Sequence, residues 1–360
     1  MAAVTFRDLT TLEDYAQVVE LERVIWGPGY DDVVPVSILA ISVLRGGILI
    51  GAFSGARMAG FVYSLPGIKH GNATQWSHML GVLEEHRNDG TGRQLKLLQR
   101  ERTLAMGLEL IEWTYDPMQA LNAHLNFAKL GVVVEEYEEN VYGTSSSPLH
   151  RGNPTDRFVA EWWIAKPHVE RRLQGGGAAL TLRTDEIAGA AAANRAVPAG
   201  EWLVCEDKNL ALAARRVLVE IPMHFTEMLA RAPEKALEWR MATREIFTTY
   251  LGRGYRAVDF FLDRPSGKGA YLLTDKEGTR GLTNHGPGPQ APVRSPTSPG
   301  PRPLLVSERR HRIHARGAPG GNQAGHERKR QRAGDDQRVG GWIGRRGLEE
   351  ETRDETASRE

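Results

Sequence analysis

The sequence predicts an α/β fold of the mixed α+β kind, on three observations. Strand-like and helix-like segments alternate from residue 4 to about 165, with turn residues at short intervals. A glycine loop, Arg87-Asn88-Asp89-Gly90-Thr91-Gly92, stands between an extended apolar segment and a segment of helical period. A run rich in Gly and Ala, beginning at Gly175, then leads to a smaller unit in which strand and helix patterns recur.

The elements follow in order. Val4 to Leu9 reads as a first strand, and Thr11 with Asp14 three residues later forms a capping signal for a helix carrying Tyr15, Val18, Val19 and Ile25. Ile48 to Phe53 and Met58 to Leu65, separated by Ser54-Gly55-Ala56-Arg57, read as a β-hairpin. Gln75 to Leu83 reads as a strand with Trp76, His78, Leu80 and Val82 on one face. Beyond the glycine loop, Leu95, Leu98, Arg102, Ala105 and Met106 keep a helical period, and Leu110 to Tyr115 reads as a strand stopped by Asp116-Pro117. Ala120 to Leu130 is a second helix closed by Gly131, and Val132 to Tyr142 and Phe158 to Ile164 are further strands. In the smaller unit, Trp202 to Cys205, Val217 to Ile221 and Tyr255 to Leu262 read as strands and Phe225 to Leu251 as one long helix. The expected organisation is a first domain over 1–165, a linker over 166–200, a small α+β domain over 201–277 and a tail over 278–360.

Composition narrows the function. With 360 residues, 41% hydrophobic and 25% charged, the chain has enough apolar material for two cores. A net charge of +1 calls for neither a nucleic-acid nor a membrane partner. No signal-peptide pattern and no apolar run of membrane-spanning length occurs, and the single Cys205 excludes internal disulfides and multi-cysteine metal sites, so a cytoplasmic protein without a metal is expected. After Gly278 the chain turns to Pro, Gly, Arg and His without hydrophobic period, which reads as disorder or as GC-rich sequence translated in a shifted frame. Its basic runs, Arg309-Arg310-His311-Arg312 and Arg328-Lys329-Arg330, lack the interleaved aromatics of a nucleic-acid arm.

The loop Arg87 to Gly92 carries the chemistry. The first amides of a helix have no intrahelical acceptors and carry the positive end of its dipole, so they bind phosphate oxygens where the backbone is accessible. Gly90 and Gly92 leave that approach open, and Arg87 adds positive charge. A Walker loop would require Gly-Lys-Ser/Thr, and a dinucleotide fingerprint a third glycine where Leu95 stands.

In this setting the residues resemble the acyl-coenzyme A motif of the GNAT superfamily of N-acyltransferases: a strand ending at Val82, the Arg-x-x-Gly-x-Gly loop, and a long helix from Arg93. The resemblance covers about residues 4 to 165. The segments Trp113-Thr114-Tyr115-Asp116-Pro117, Asn122-Ala123, Tyr142-Gly143 and Thr155-Asp156-Arg157 are similar to a poorly characterised bacterial subgroup with an added C-terminal domain, to which Glu238-Trp239-Arg240 and Thr243-Arg244-Glu245 would belong. The resemblance implies a mixed sheet that splays between the Val82 and Trp113 strands and is flanked by helices. Acetyl-CoA or another acyl-CoA is then the co-substrate, with no prosthetic group. Pantetheine would lie along Val82, and the pyrophosphate on Arg87, Asn88, Asp89, Gly90, Thr91, Gly92 and Arg93, with Asn122 touching the cofactor or the substrate. Transfer of an acetyl or related group, such as succinyl, to the amine of a small molecule is the implied reaction. A CoA-binding regulatory or scaffold protein without catalysis is the alternative.

An ammonium must lose its proton before attack, so a base is useful. His78 is the first candidate, at a position that supplies a catalytic histidine in some members of the superfamily, with Glu84 and Glu112 behind it. The usual general acid, a tyrosine four residues before the glycine ending the second helix, is replaced by Phe127, so that either Tyr142 or Tyr115 acts instead or the thiolate leaves without help from the protein. Arg240 and Arg244, one helical turn apart, repel each other unless an anion or acidic partner lies between them, and a substrate carboxylate or an intramolecular acid would meet that need. Trp162-Trp163 reads as an exposed docking face for the second domain or for another subunit.

Overall fold

The computed structural model describes residues 3–27, 30, 32–87, 89–143, 152–174, 189–275 and 277. The tail after 278, with its basic runs and expected disorder, lies outside the described residues, as does Asn88.

The chain begins with β1 (Val4–Asp8) and α1 (Leu12–Trp26), whose capping box forms as the sequence indicates: the Asp14 amide donates to Thr11 Oγ1 at 3.2 Å and the Thr11 amide to Asp14 Oδ2 at 3.3 Å. Next come α2 (Val36–Leu44), β2 (Ile48–Ser54), β3 (Arg57–Lys69) and β4 (Asn72–Val82). A short 3₁₀ turn at Glu84–His86 leads to α3 (Thr91–Ala105) and β5 (Leu110–Tyr115). Helix α4 opens at Ala120–Ala123, winds as a π-helix over His124–Leu130 and stops at Gly131, whose φ of 75° and ψ of 40° give the expected left-handed cap. Strands β6 (Val133–Glu138) and β7 (Arg157–Trp163) and helix α5 (Pro167–Gln174) follow. The rest comprises β8 (Ala191–Ala192), β9 (Arg195–Ala199), β10 (Trp202–Glu206), β11 (Arg216–Pro222), α6 (Phe225–Arg231), α7 (Pro233–Gly252), β12 (Arg256–Asp263) and β13 (Lys268–Thr274).

Eleven strands form one mixed sheet in the order β1-β2-β3-β4-β5-β7-β6-β12-β13-β11-β8, and β9 and β10 pair separately. Within the sheet, and among the described residues, the two halves of the chain pair at Ala257 opposite Val134. Around that seam one apolar cluster combines Trp113, Phe127, Phe158 and Trp162 with Trp239, Phe247, Phe260 and Tyr271. The expected 166–200 linker therefore contains α5, β8 and β9 as regular structure, and the C-terminal unit shares both its core and its sheet with the N-terminal one. On the N-terminal half, α1 and α2 cover one face through Leu49, Phe53, Phe61, Tyr63 and Met79. Helix α3 covers the other through Ile50, Val62, Leu80, Val82 and Leu95.

Three expectations need correction. The single helix Phe225 to Leu251 is broken at Ala232, because Pro233 has no amide for a continuous helix and its ring would clash with the preceding turn; it starts α7 instead. The strand expected from Val132 to Tyr142 ends at Glu138, and Asn140, at φ 49°, turns the chain so that Tyr142 lies in a loop. Trp162 is not exposed but wholly buried: it stands edge-on to Trp113 at 6.2 Å, donates from Nε1 to the Leu130 carbonyl at 2.8 Å, and belongs to the apolar cluster that includes Trp239 and Phe247 of the C-terminal unit.

Candidate active site

The neighbouring parallel strands β4 and β5 pair at Gln75 with Ile111 and at Trp76 with Glu112, and there the ladder ends. Beyond that point β5 stays paired to β7 on its other side and β4 to β3, so the two strands part towards their carboxyl ends and leave backbone along the gap. A bulge sits at the same level, since Tyr63 faces Met79 while Ser64 faces Ser77, leaving His78 as the extra residue. The bulge overturns the alternation expected for this strand. Leu80 and Val82 point to the α3 face, whereas the His78 ring stands edge-on to Tyr63, at 5.8 Å and 89°, on the α1 and α2 face.

The loop closes the carboxyl end of the gap. Gly90 caps α3 at φ 95°, a conformation that side chains resist, and no side chain caps the helix from that position. The Thr91 amide is taken by Asp89 Oδ1 at 2.8 Å, and the Arg87 Nε donates back to the Val82 carbonyl at 3.1 Å. Arg93 is turned away from the loop, donating from Nη2 to the Leu173 carbonyl at 3.2 Å. At Gly92 a methyl group would meet only Val82 and Leu80 side chains at 3.7 and 3.9 Å, which is ordinary contact. The protein itself therefore tolerates a methyl group at 92. Asn122 is exposed on the first turn of α4.

On the α1 and α2 face, solvent reaches the His78 imidazole, while the protein around it disfavours the charged form and lowers its pKa. Neutral His78 can accept a proton. Half-exposed Tyr142 shares a hydrogen bond between its hydroxyl and Thr114 Oγ1 at 2.7 Å, on the β5 side of the gap. Glu84 lies exposed on the 3₁₀ turn, and buried Glu112 is 3.1 Å from Lys69, which also contacts Glu136 and Glu161. Tyr115 is sealed in the core with its hydroxyl 3.4 Å from that of Tyr271, which removes it as a proton donor. Phe127 is wholly buried against Tyr271, with centroids 5.7 Å apart.

Sequence reasoning passed over Glu22 and Lys96, because charged residues on helices are ordinarily solvated and nothing in their spacing sets these two apart. Glu22, wholly buried on α1, accepts the Val34 amide on Oε2 at 2.8 Å, and its Oε1 has no partner among the described residues. Burial raises its pKa to about 7, against smaller opposing contributions from the Val34 amide and Arg23. Tyr30 nearby is pushed up to about 12 by burial first, then by the charges of Asp32, Glu22 and Tyr142. Lys96 on α3 is buried, and desolvation lowers its pKa to about 7.

Both arginines of the pair are held by acids within the fold. Arg240, 1% exposed, donates from Nη2 to Asp116 Oδ2 at 2.8 Å and from Nε to Asn153 Oδ1 at 3.1 Å. Its Nη1 lies 2.8 Å from Asp116 Oδ1 in ion-pair contact without hydrogen-bond alignment. Arg244 grips Asp156 through Nε and Nη2 at 2.8 and 2.6 Å. Both partners are acids of the N-terminal half, so the charges that appeared to await a ligand are neutralised within the fold. An open pocket of about 690 Å³, lined by Lys208, Lys235, Trp239 and Arg244 among others, lies between α7 and β10 on the C-terminal half. Among the described residues no cluster of three or more His, Cys, Asp or Glu is placed to hold a metal ion, and no helix is long and apolar enough to cross a membrane.

No family model matches the chain, and no curated protein matches it either. Solved structures of acetyltransferases are similar in fold. An acetyltransferase of the GNAT family from Streptococcus pneumoniae is 18% identical, covers 44% of this chain and 98% of its own, and has a TM-score of 0.36. The PaiA N-acetyltransferase from Thermoplasma acidophilum, in complex with coenzyme A, is 16% identical over 44% of this chain and 98% of its own, with a TM-score of 0.33. Arabidopsis thaliana NAA60, in complex with a bisubstrate analogue, is 12% identical over 45% of this chain and 98% of its own, with a TM-score of 0.37.

Proposed function

We propose that this chain is an acyl-CoA N-acyltransferase of the GNAT kind, moving an acetyl or related acyl group to the amine of a small molecule. The observation that carries the reading is the parting of β4 from β5 beyond Trp76 and Glu112, above the side-chain-free N-cap of α3. A pyrophosphate on the first α3 amides would place a pantetheine arm along the open backbone of β4, where it can pair as a strand does. The thioester then reaches the level of the bulge. An amine entering from the α1 and α2 face attacks the carbonyl carbon, and His78, held neutral, takes the proton directly or through a water. Tyr142 and Thr114 border the opposite side of the gap and help to orient the acceptor.

With Arg240 and Arg244 bound to Asp116 and Asp156, the acceptor's class is left to the exposed surface around His78. Phe127, which cannot donate a proton, favours a second reading as a non-catalytic CoA-binding protein. One experiment separates them: acetyl-CoA is incubated with the protein and a panel of amines, free thiol is followed, and CoA affinity is measured by calorimetry. Thiol release that depends on an amine supports the transferase; tight binding with no release for any amine supports the second reading; absence of CoA binding defeats both.

A further inference from the structure

The apex of the gap between β4 and β5 is filled by a lysine. Lys96, 3% exposed, leaves α3 at the point where the strands part and donates from Nζ to Ser77 Oγ at 2.8 Å and to Gln99 Oε1 at 3.2 Å. Its Nζ also lies 3.7 Å from the centre of the Trp113 ring. Ser77 and Trp113 are the residues that immediately follow the last rung, Trp76 opposite Glu112. From β4 and β5 no acid reaches the amine: His78 points to Tyr63 on the other face, and Glu112 is engaged by Lys69. From its own helix the neighbour is Gln99, so among the described residues the amine is held by neutral groups, and burial lowers its pKa. An uncompensated lysine at this depth is costly to keep, because a buried cation without a carboxylate loses hydration for little return.

Resting on the acyltransferase reading above, we propose that Lys96 is the proton donor to the departing CoA thiolate, in the place that Phe127 leaves empty. From Val82, beside the loop, to Ser77 is about 16 Å of extended strand, a length comparable with that of an extended pantetheine arm. A CoA whose pyrophosphate rests on the α3 amides therefore brings its sulfur to the level of Lys96. In the step, the acceptor nitrogen bonds to the carbonyl carbon and loses its proton to His78. The C–S bond then breaks with its electron pair on sulfur, and a proton passes from the Lys96 ammonium to that sulfur. Solvent reprotonates Lys96, and nothing is oxidised or reduced. An ammonium that titrates near neutrality suits this work, since it carries a proton in a large share of molecules and releases it readily.

The test needs no acceptor. Free CoA is bound to the full chain, and its thiolate absorbance in the ultraviolet is followed against pH. A thiol free in water ionises near pH 8.5, whereas one beside an ammonium ionises lower. The wild-type complex is expected to shift ionisation of the bound thiol by roughly tenfold or more, about one pH unit. In Lys96→Met it returns to the value of free CoA while CoA affinity stays within about threefold, and in Lys96→Arg, which keeps a fixed charge, the shift is retained. A wild-type thiol that titrates as in solution, or one equally shifted in Lys96→Met, overturns the proposal. Should Lys96→Met lose CoA, the wild-type titration decides alone. Failure of the wild type to bind CoA overturns the acyltransferase reading itself, and is thereby distinguishable.

Discussion

Arg244 on α7 closes on Asp156 through two parallel hydrogen bonds of 2.8 and 2.6 Å, joining residues 88 positions apart. Asp156 is fully buried and also accepts the Tyr137 hydroxyl at 2.6 Å and the Asn140 amide at 3.0 Å, so one carboxylate fixes the turn that carries Tyr142. One helical turn earlier, Arg240 does the same for Asp116 at the end of β5. The C-terminal half thus braces both segments that border the gap on the β5 side.

Removing that carboxylate leaves a half-buried guanidinium, a tyrosine hydroxyl and an amide to be rehydrated. Asp156→Ala is expected to cost about 3–5 kcal/mol, as for a broken buried pair, measured by urea denaturation. Arg244→Met with Asp156→Leu together is expected to cost less than Asp156→Ala alone. Burial opposes the charge of Asp156, but the bonds from Arg244, Tyr137 and Asn140 outweigh it and hold the pKa below the ordinary carboxylate value. This contribution is therefore present above pH 4 and is lost as pH falls through the lowered value, an acid sensitivity that Asp156→Asn is expected to remove.

Lys96 has the opposite sign. Its pKa is lowered from 10.5 to about 7, so the unfolded chain binds the extra proton across that window and stability rises with pH from about 7 to about 10.5. Lys96→Met is expected to raise the melting temperature at pH 7, by an amount on the order of a few kcal/mol in stability, and the gain is expected to fade by pH 10. Thermal unfolding of the two proteins at pH 7 and 10 measures it; an equal effect at both would show that the amine is not desolvated.

For Glu22 the pKa is raised from 4.5 to about 7, so the folded state holds the extra proton between those values and stability falls as pH rises through that window. Glu22→Gln keeps an acceptor for the Val34 amide. It is expected to be stabilising at pH 8 relative to pH 4.5, by roughly 1–3 kcal/mol.

The two glycines of the loop are expected to differ in what a side chain costs. Gly92→Ala meets only ordinary contacts, its methyl group turned towards Val82 and Leu80, and is expected to leave the melting temperature unchanged and CoA affinity within about threefold. Gly90→Val forces a branched side chain to φ 95° and is expected to destabilise the protein. Parallel calorimetry of CoA binding and unfolding checks both.

His78→Gln is expected to lower kcat by about 10²-fold with CoA affinity unchanged, the usual size of a single acid–base contribution. Once an acceptor is found, a pH profile that loses its acidic limb in this variant would assign that limb to His78.

Much of the first half was legible in the sequence because its information is local. The Thr11–Asp14 box, the hairpin through Gly55, the glycine loop and the Gly131 cap each depend on residues a few positions apart. Strand β13 was also open to such a reading, since Tyr271 and Leu273 alternate after Gly269, but it was passed over among turn residues. The parting of β4 from β5 was expected only through the family resemblance, and the bulge that moves His78 to the other face was not visible, because one unpaired residue leaves the alternation of letters unchanged while reversing every side chain after it. What only the tertiary structure decided are the long-range pairings: Arg240 and Arg244 with acids more than 80 residues away, Phe158 and Trp162 sharing a core with α7 and β13, and Lys96 and Glu22 under enough protein to move their titration to about 7. The sequence determined most of the local elements of the first half and the glycine loop between a strand and a helix. Which charges are quenched and which are left to act depended on burial, a property that no residue carries by itself.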